Sequence, residues 1–286
     1  FKFYIKKGKD MCNYFSDYKI TNSNNIDKLK KLESWELAIG LNEVDNLKPS
    51  EYLIELTKDS IDNNKTYSEV EEALYTYYSN QDLSNKEVQK TLEADIVTTR
   101  IVSIINDRSF RFSPIYLKTI HKKLFSGAFP EALERYVGVF RDCNLTKEEP
   151  ILHGKSVIYA DYSSIEDFLE YDFNIESNKS YKNLDKLDFV KNISKFTSSI
   201  WQIHPFREGN TRTIAVFIIK YLNSKGLSVN NEPFKDNSKY FRDALVLSNY
   251  ADYTNNIVED SDYLISFFNL AIFNNSNLKP MNKITK

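Results

Sequence analysis

Ten consecutive residues carry most of the chemistry open to this chain: His204-Pro205-Phe206-Arg207-Glu208-Gly209-Asn210-Thr211-Arg212-Thr213. His204 offers an imidazole that takes a proton near neutral pH, which suits a general base acting on a hydroxyl nucleophile. Glu208 is a hard oxygen donor, and Mg²⁺ is commonly held by one carboxylate together with substrate phosphates. Gly209 lets the backbone approach an anion closely, and Arg212 presents a planar fork of donors to phosphate oxygens. Phe206 is expected to point inward and anchor the loop. Singly, each residue has a plainer reading: a His beside a Pro can cap a helix, and Glu208 and Arg212 can form a surface ion pair. Seven fixed positions in H-P-F-x-E-G-N-x-R favour the set acting together.

Such a loop needs rigid elements on both sides. Phe189, Ile193, Phe196, Ile200 and Ile203 recur at helical spacing, so a helix over about 184–203 is expected to stop at His204-Pro205. The run from Ile214 to Ile219 is apolar on every side and predicts a second, buried helix that closes near Gly226. It would begin at Gly209 or Asn210 and aim unpaired N–H groups and a positive dipole end at the loop. That arrangement is suited to phosphate.

The stretch resembles the signature of the Fic family, H-P-F-x-[D/E]-G-N-x-R, whose members are mostly protein adenylyltransferases that move AMP from ATP onto a hydroxyl of a target protein. By that resemblance His204 deprotonates the hydroxyl, Glu208 holds Mg²⁺, and Gly209, Asn210, Thr211 and Arg212 cradle the phosphates. Two positions depart from the family: Thr211 replaces a frequent Gly or Lys, and Ala215 stands where many members have a second Arg. Residues 115–141, from Ile115 to Gly138-Val139-Phe140-Arg141, are similar to the segment that precedes the family's catalytic loop. Tyr240 falls where the resemblance places the nucleotide's base and ribose.

Pro150 to Tyr159 reads as two short β runs around His153-Gly154-Lys155, a hairpin in an otherwise helical chain. It is similar to the family's flap, which implies that Ile151, Leu152, His153, Gly154, Lys155, Ser156, Val157 and Ile158 offer a main-chain edge to a target protein. The alternative is a small structural hairpin covering the core. Leu41-Asn42-Glu43-Val44-Asp45-Asn46 is similar to the surroundings of the family's inhibitory motif, which makes Asp45 and Asn46 candidate inhibitory residues. With Ala215 in place of the second Arg, Arg212 is the partner left to Asp45. Glu71-Glu72 is an alternative source of that carboxylate.

Composition bounds the rest. The 286 residues suffice for one large or two small domains, and a formal charge of −2 gives no basic field for nucleic acid. Two cysteines and three histidines suggest neither a disulfide framework nor a zinc cluster, and no apolar run has membrane-spanning length. The expected setting is cytoplasmic. Only seven Gly and seven Pro, with little strand-like alternation, predict a mainly α fold. The expected organisation is a polar extension over 1–30, a helical N-terminal module over 31–80, a Fic-type domain with one hairpin flap over 84–275, and a frayed tail over 276–286. The first ten residues are a basic-aromatic lead too short for a signal. Helices led by Trp35, Ser50 and Thr66 are expected to form a bundle of their own. Ser84 with Glu87 predicts a capping box, Ser113-Pro114 a helix start, and Ser228–Asn237 a polar link. His121 is expected to pack. The expected activity is magnesium-dependent transfer of AMP from ATP to a Ser, Thr or Tyr hydroxyl, with self-modification plausible in a chain of 19 tyrosines. Transfer of another phosphate-bearing group and an idle peptide-binding module are the alternatives.

Overall fold

A computed structural model describes residues 14, 15, 18, 26–227, 229–230, 232–275 and 277–281. The basic-aromatic lead, most of the polar extension and residues 282–286 lie outside the described residues. In chain order the α-helices are α1 (Ile26–Glu43), α2 (Glu51–Ile61), α3 (Tyr67–Tyr78), α4 (Lys86–Asn106), α5 (Pro114–Phe125), α6 (Glu131–Glu134), α7 (Ile165–Ser177), α8 (Lys186–Ile203), α9 (Asn210–Ser224), α10 (Glu232–Asp236), α11 (Ser238–Leu247) and α12 (Asp262–Phe273). The fold is mainly α, and the described β pairing is a single bridge between Asp252 and Ile257.

Local chemistry starts these helices where polar caps precede apolar runs. Ser50 accepts from the Leu53 N–H to cap α2, Thr66 and Glu69 form a reciprocal capping box on α3, and Ser113 caps α5 with Pro114 behind it. Ser84 does not cap α4. Its hydroxyl donates to Asp82, so Asn85 takes the role and accepts from the Glu87 N–H.

Helix α9 is the axis of the molecule: every residue from Asn210 to Leu222 is buried. Helices α1, α4, α5 and α8 pack around it, and α7 and α12 cover α8. Phe112, Phe173, Phe196, Phe217 and Tyr221 form an aromatic cluster where α7, α8 and α9 meet. Each such ring contributes ~1.5–3 kcal/mol when withdrawn from water.

Three expectations are corrected by this packing. The N-terminal helices are not a bundle of their own: α1 starts at Ile26, lies along α4 and α10, and places Trp35, Leu37 and Leu41 in the same apolar core as Phe217 and Ile218. The polar link contains α10, whose Phe234 is fully buried against Phe241 and Phe267. The described part of the tail is tied down, because the Lys279 N–H donates to Ser266 and its carbonyl accepts from Tyr240.

The hairpin is also corrected. Pro150–Leu152 is a 3₁₀ turn, and His153 and Gly154 follow with positive φ. Pro150 fixes the first φ of that turn, and two left-handed residues reverse the chain before a strand can form. Two main-chain hydrogen bonds close the reversal, from the Glu149 N–H to the Lys155 carbonyl and from the Gly154 N–H to the Glu149 carbonyl. Leu152 and Val157 anchor it in the core, whereas Ile158 is 85 % exposed.

Candidate active site

The loop 204–209 is shaped by residues that hold its backbone. Helix α8 stops because Pro205 cannot continue it, and His204 turns left-handed at φ 51°, its N–H reaching back to the Trp201 carbonyl. Arg141 then gathers the carbonyls left free at that terminus. Its Nε donates to His204 O at 2.8 Å, its Nη2 to Ile203 O and Ala160 O, and its own N–H to Pro205 O. Asn210 closes the loop on itself, accepting from the Phe206 N–H at 2.9 Å and donating to the Phe206 carbonyl at 2.8 Å.

Phe206 points inward as expected and stacks on His121, with ring centroids 3.9 Å apart. His121 is a buried structural residue. Its Nδ1 accepts from the Gly138 N–H, so the proton resides on Nε2 and is donated to the Glu208 carbonyl at 3.0 Å. Burial holds its pKa down at about 4, against a smaller upward pull from that carbonyl. Gly209 has φ 73°, and a Cβ there would overlap the Phe125 ring. Only glycine meets both conditions.

His204 itself is 3 % exposed, stacked on Tyr159 with centroids 4.1 Å apart and edged by Trp201. Neither ring nitrogen has a hydrogen-bond partner among the described residues. Burial pushes its pKa well below the ordinary histidine value, and the cations Lys147, Arg141 and Arg242 push the same way. The imidazole is therefore neutral at physiological pH and able to accept a proton.

Beyond the loop, a cleft of about 620 Å³ opens at the N-terminus of α9, lined by Asp45, Glu93, Lys147, Glu208, Arg212 and Arg242 among others. The N–H groups of Asn210, Thr211 and Arg212 are the first of α9 and have no partner within the helix. Glu208 is half exposed, with Lys147 Nζ 2.8 Å from its carboxylate. A cation thus already sits on that oxygen. Among the described residues no three carboxylate, His or Cys groups converge on one point. A single carboxylate such as Glu208 could hold a divalent ion only together with further ligands, such as phosphate oxygens and water.

Arg212 is almost wholly buried and surrounded by acceptors. Its Nη2 lies 2.8 Å from Glu93, its Nη1 donates to Asn42 Oδ1 at 3.1 Å, and its Nε lies 2.9 Å from Asp45 in an ion pair too bent for a hydrogen bond. Burial pushes the Glu93 carboxyl up, and Arg212 pulls it part of the way back. Arg242 approaches the same Asp45 from α11 at 3.0 Å.

The structure thus brings Glu208, Arg212, Asp45 and Asn46 together on the wall of one cleft, while His204 and Gly209 belong to the loop beside it and do not line it. Other candidates are placed elsewhere or turned away. The Thr211 hydroxyl accepts from Trp201 Nε1, and the Asn210 amide is used by Phe206, so both can face a ligand through backbone only. Tyr240 donates to the Lys279 carbonyl and lines the neighbouring hollow instead of the cleft. Lys155, in the turn, pairs with Asp252 at 2.7 Å. Glu71 is on Arg100, far in role from the loop. Sequence reasoning passed over Glu93, Lys147, Glu149 and Arg242. None belongs to a contiguous motif, and their only signal is charge on a buried or half-buried face.

The class defined by these features is a mainly helical domain whose candidate site lies on a loop between two buried helices. Residues 111–222 match the model of the Fic/DOC family, and the loop 204–212 lies inside that matched segment. Proteins of that family typically transfer nucleotides or other phosphate-bearing groups. No curated protein matches the chain. Among the described residues no helix is long and apolar enough to cross a membrane.

Proposed function

We propose that this protein is an adenylyltransferase that moves AMP from ATP to a Ser, Thr or Tyr hydroxyl of a protein. The observation that carries this reading is His204: a buried, neutral imidazole with both nitrogens unpartnered, one loop away from an anion-receptive helix terminus. The hydroxyl oxygen forms a bond to the α-phosphorus while the bond from that phosphorus to the bridging oxygen breaks. Pyrophosphate leaves, and the hydroxyl proton passes to the His204 ring. The free N–H groups of Asn210 to Arg212 and the Arg212 side chain neutralise charge on the phosphates. Glu208 would hold Mg²⁺, which supplies charge neutralisation at the phosphates when bound. Lys147 must first release that carboxylate.

The segment 147–159 governs access. It carries Lys147 against Glu208 and Tyr159 against His204, so a target chain reaches the imidazole only when this segment gives way. The exposed side chain of Ile158 and the surrounding main chain are the surface offered to the target. The protein's own tyrosines are candidate first acceptors.

Incubation of the full chain with labelled ATP and Mg²⁺, followed by mass spectrometry, tests the reading. An AMP adduct is expected on the chain or an added protein. His204→Asn, chosen because Asn tolerates the left-handed backbone, should lower the rate by about 10²–10⁴. A bare phosphate adduct, or labelling unchanged in His204→Asn, would overturn it.

A further inference from the structure

Helices α5 and α7 pack against each other and are oppositely charged. Helix α5 holds Lys118, Lys122 and Lys123 and no acid, whereas α7 holds five Asp and Glu residues and no Lys or Arg. On α5 the buried side is Leu117, Ile120, His121 and Leu124, which leaves Ile115, Lys118 and Lys122 on the opposite side at i, i+3 and i+7. On α7 the buried side is Ile165, Leu169 and Phe173, while Glu166, Asp167 and Glu170 are exposed. The seam between the basic and the acidic strip is bridged by Lys118 and Glu166 at 3.3 Å. Among the described residues the other four charges, Lys122, Lys123, Asp167 and Glu170, make no ion pair.

Helix dipoles account for part of this pattern, because acids suit the first turn of α7 and lysines the last turn of α5. They do not account for the apolar residues beside those charges. Ile115 is 73 % exposed, and Phe168, Tyr171 and Ile175 recur at i, i+3 and i+7 along α7 with 47 %, 64 % and 40 % exposure. Val139, next to the Gly138 that lies against the Lys122 stem, is half exposed as well. Grouped apolar side chains rimmed by charge mark a contact with another macromolecule. A nucleic acid or an anionic membrane would meet the lysines of α5 but be repelled by the acids of α7. A second copy of this chain meets both: when a two-fold axis runs along the seam, in the plane of the contact, rotation lays each strip of one copy on the opposite strip of the other.

We propose that the α5–α7 face is a two-fold self-association surface, in which the basic strip of one copy lies on the acidic strip of the other and Ile115, Phe168 and Tyr171 are withdrawn from water. This surface is independent of the adenylyltransferase reading. Two neighbouring helices of 12 and 13 residues present a patch about 20 Å on a side. That is below the ~800 Å² per partner of a standard stable interface, so the dimer is reversible and its charge pairing is sensitive to salt.

Sedimentation velocity of the full chain, over a concentration series reaching about 200 μM and at about 50 and about 500 mM NaCl, provides the test. Two variants accompany the parent: Lys122→Glu/Lys123→Glu, which turns the basic strip acidic, and Asp167→Lys/Glu170→Lys, which turns the acidic strip basic. All four side chains are exposed, so the fold should persist, and circular dichroism checks that it does. The parent should dimerise at low salt and more weakly at high salt. Each variant alone should dimerise at least about tenfold more weakly, because like charges then face each other. An equimolar mixture of the two variants should restore the dimer as a heterodimer, since one copy is then acidic on both strips and the other basic on both. A parent that is monomeric throughout the series overturns the proposal, as does a dimer that neither variant weakens. Weakening by only one variant, or by both without a heterodimer on mixing, overturns the two-fold pairing of α5 with α7.

Discussion

His204 combines a left-handed backbone with a desolvated ring, and each has a measurable consequence. A residue other than glycine at positive φ is held there by its surroundings, in this case by Arg141 on the flanking carbonyls. The ring is neutral because burial and nearby cations disfavour its charged form. A base with a depressed pKa stays competent as pH falls, so the acid limb of kcat/KM for labelling should lie below pH 6.5, the ordinary histidine value. A limb centred at about 6.5 or above would show that the imidazole is solvated during turnover. Gly209 gives a second residue-scale test. In Gly209→Ala both the positive φ and the Phe125 ring oppose the new methyl group, so stability should fall by more than about 1 kcal/mol. A thermal melt within a degree or two of the parent would contradict that packing.

At the scale of elements, the site is closed from two sides. The segment 147–159 lays Lys147 on Glu208, Glu149 on Arg242 and Tyr159 on His204, while the turn after α1 lays Asp45 on both arginines. These contacts hold the loop in order, and under the proposed function each stands where a substrate group would go. Relieving one should therefore trade stability for activity. Asp45→Ala is expected to lower the melting temperature slightly, since Arg212 keeps Glu93 and Asn42 while Arg242 keeps Glu149. It should also raise labelling at limiting ATP about tenfold, equivalent to ~1.4 kcal/mol of competition removed. Equal or lower labelling at limiting ATP would make Asp45 a purely structural partner.

For the whole molecule, a single core decides what can be removed. Trp35, Leu37 and Leu41 are fully buried on α1, and Phe234 of α10 packs in the same core. Excising residues 1–80 would strip α4 and α10 of their covering helix, exposing apolar surface that no other element can hide. The truncated chain should lose its cooperative melt or aggregate, because single core aromatics already cost about 3–5 kcal/mol when cut to Ala. A truncated protein that stays monomeric with a cooperative melt would restore the view of the N-terminal helices as a separable unit. The activating test therefore belongs to Asp45→Ala and not to deletion.

What the sequence determined by itself is local. The helix end at His204-Pro205, the Thr66 and Ser113 caps and the apolar run of α9 are each written in a few neighbouring residues, because sterics and capping act over three or four positions. The fold class and the resemblance to the Fic family followed from those signals. Tertiary structure decided the partners. Arg212 meets Glu93 and Asn42 across 119 and 170 positions of chain, and such pairings leave no periodic mark in sequence. The alternation at 151–157 suggested strands, but Leu152 and Val157 are buried on either side of a left-handed reversal rather than along one sheet face. Asp45 pairing with Arg212 was foreseen as the contact left open by Ala215, whereas Arg242 was not. Its contact with Asp45 exists only because α11 is packed beside the end of α1, a consequence of how apolar faces share one core and not of any motif.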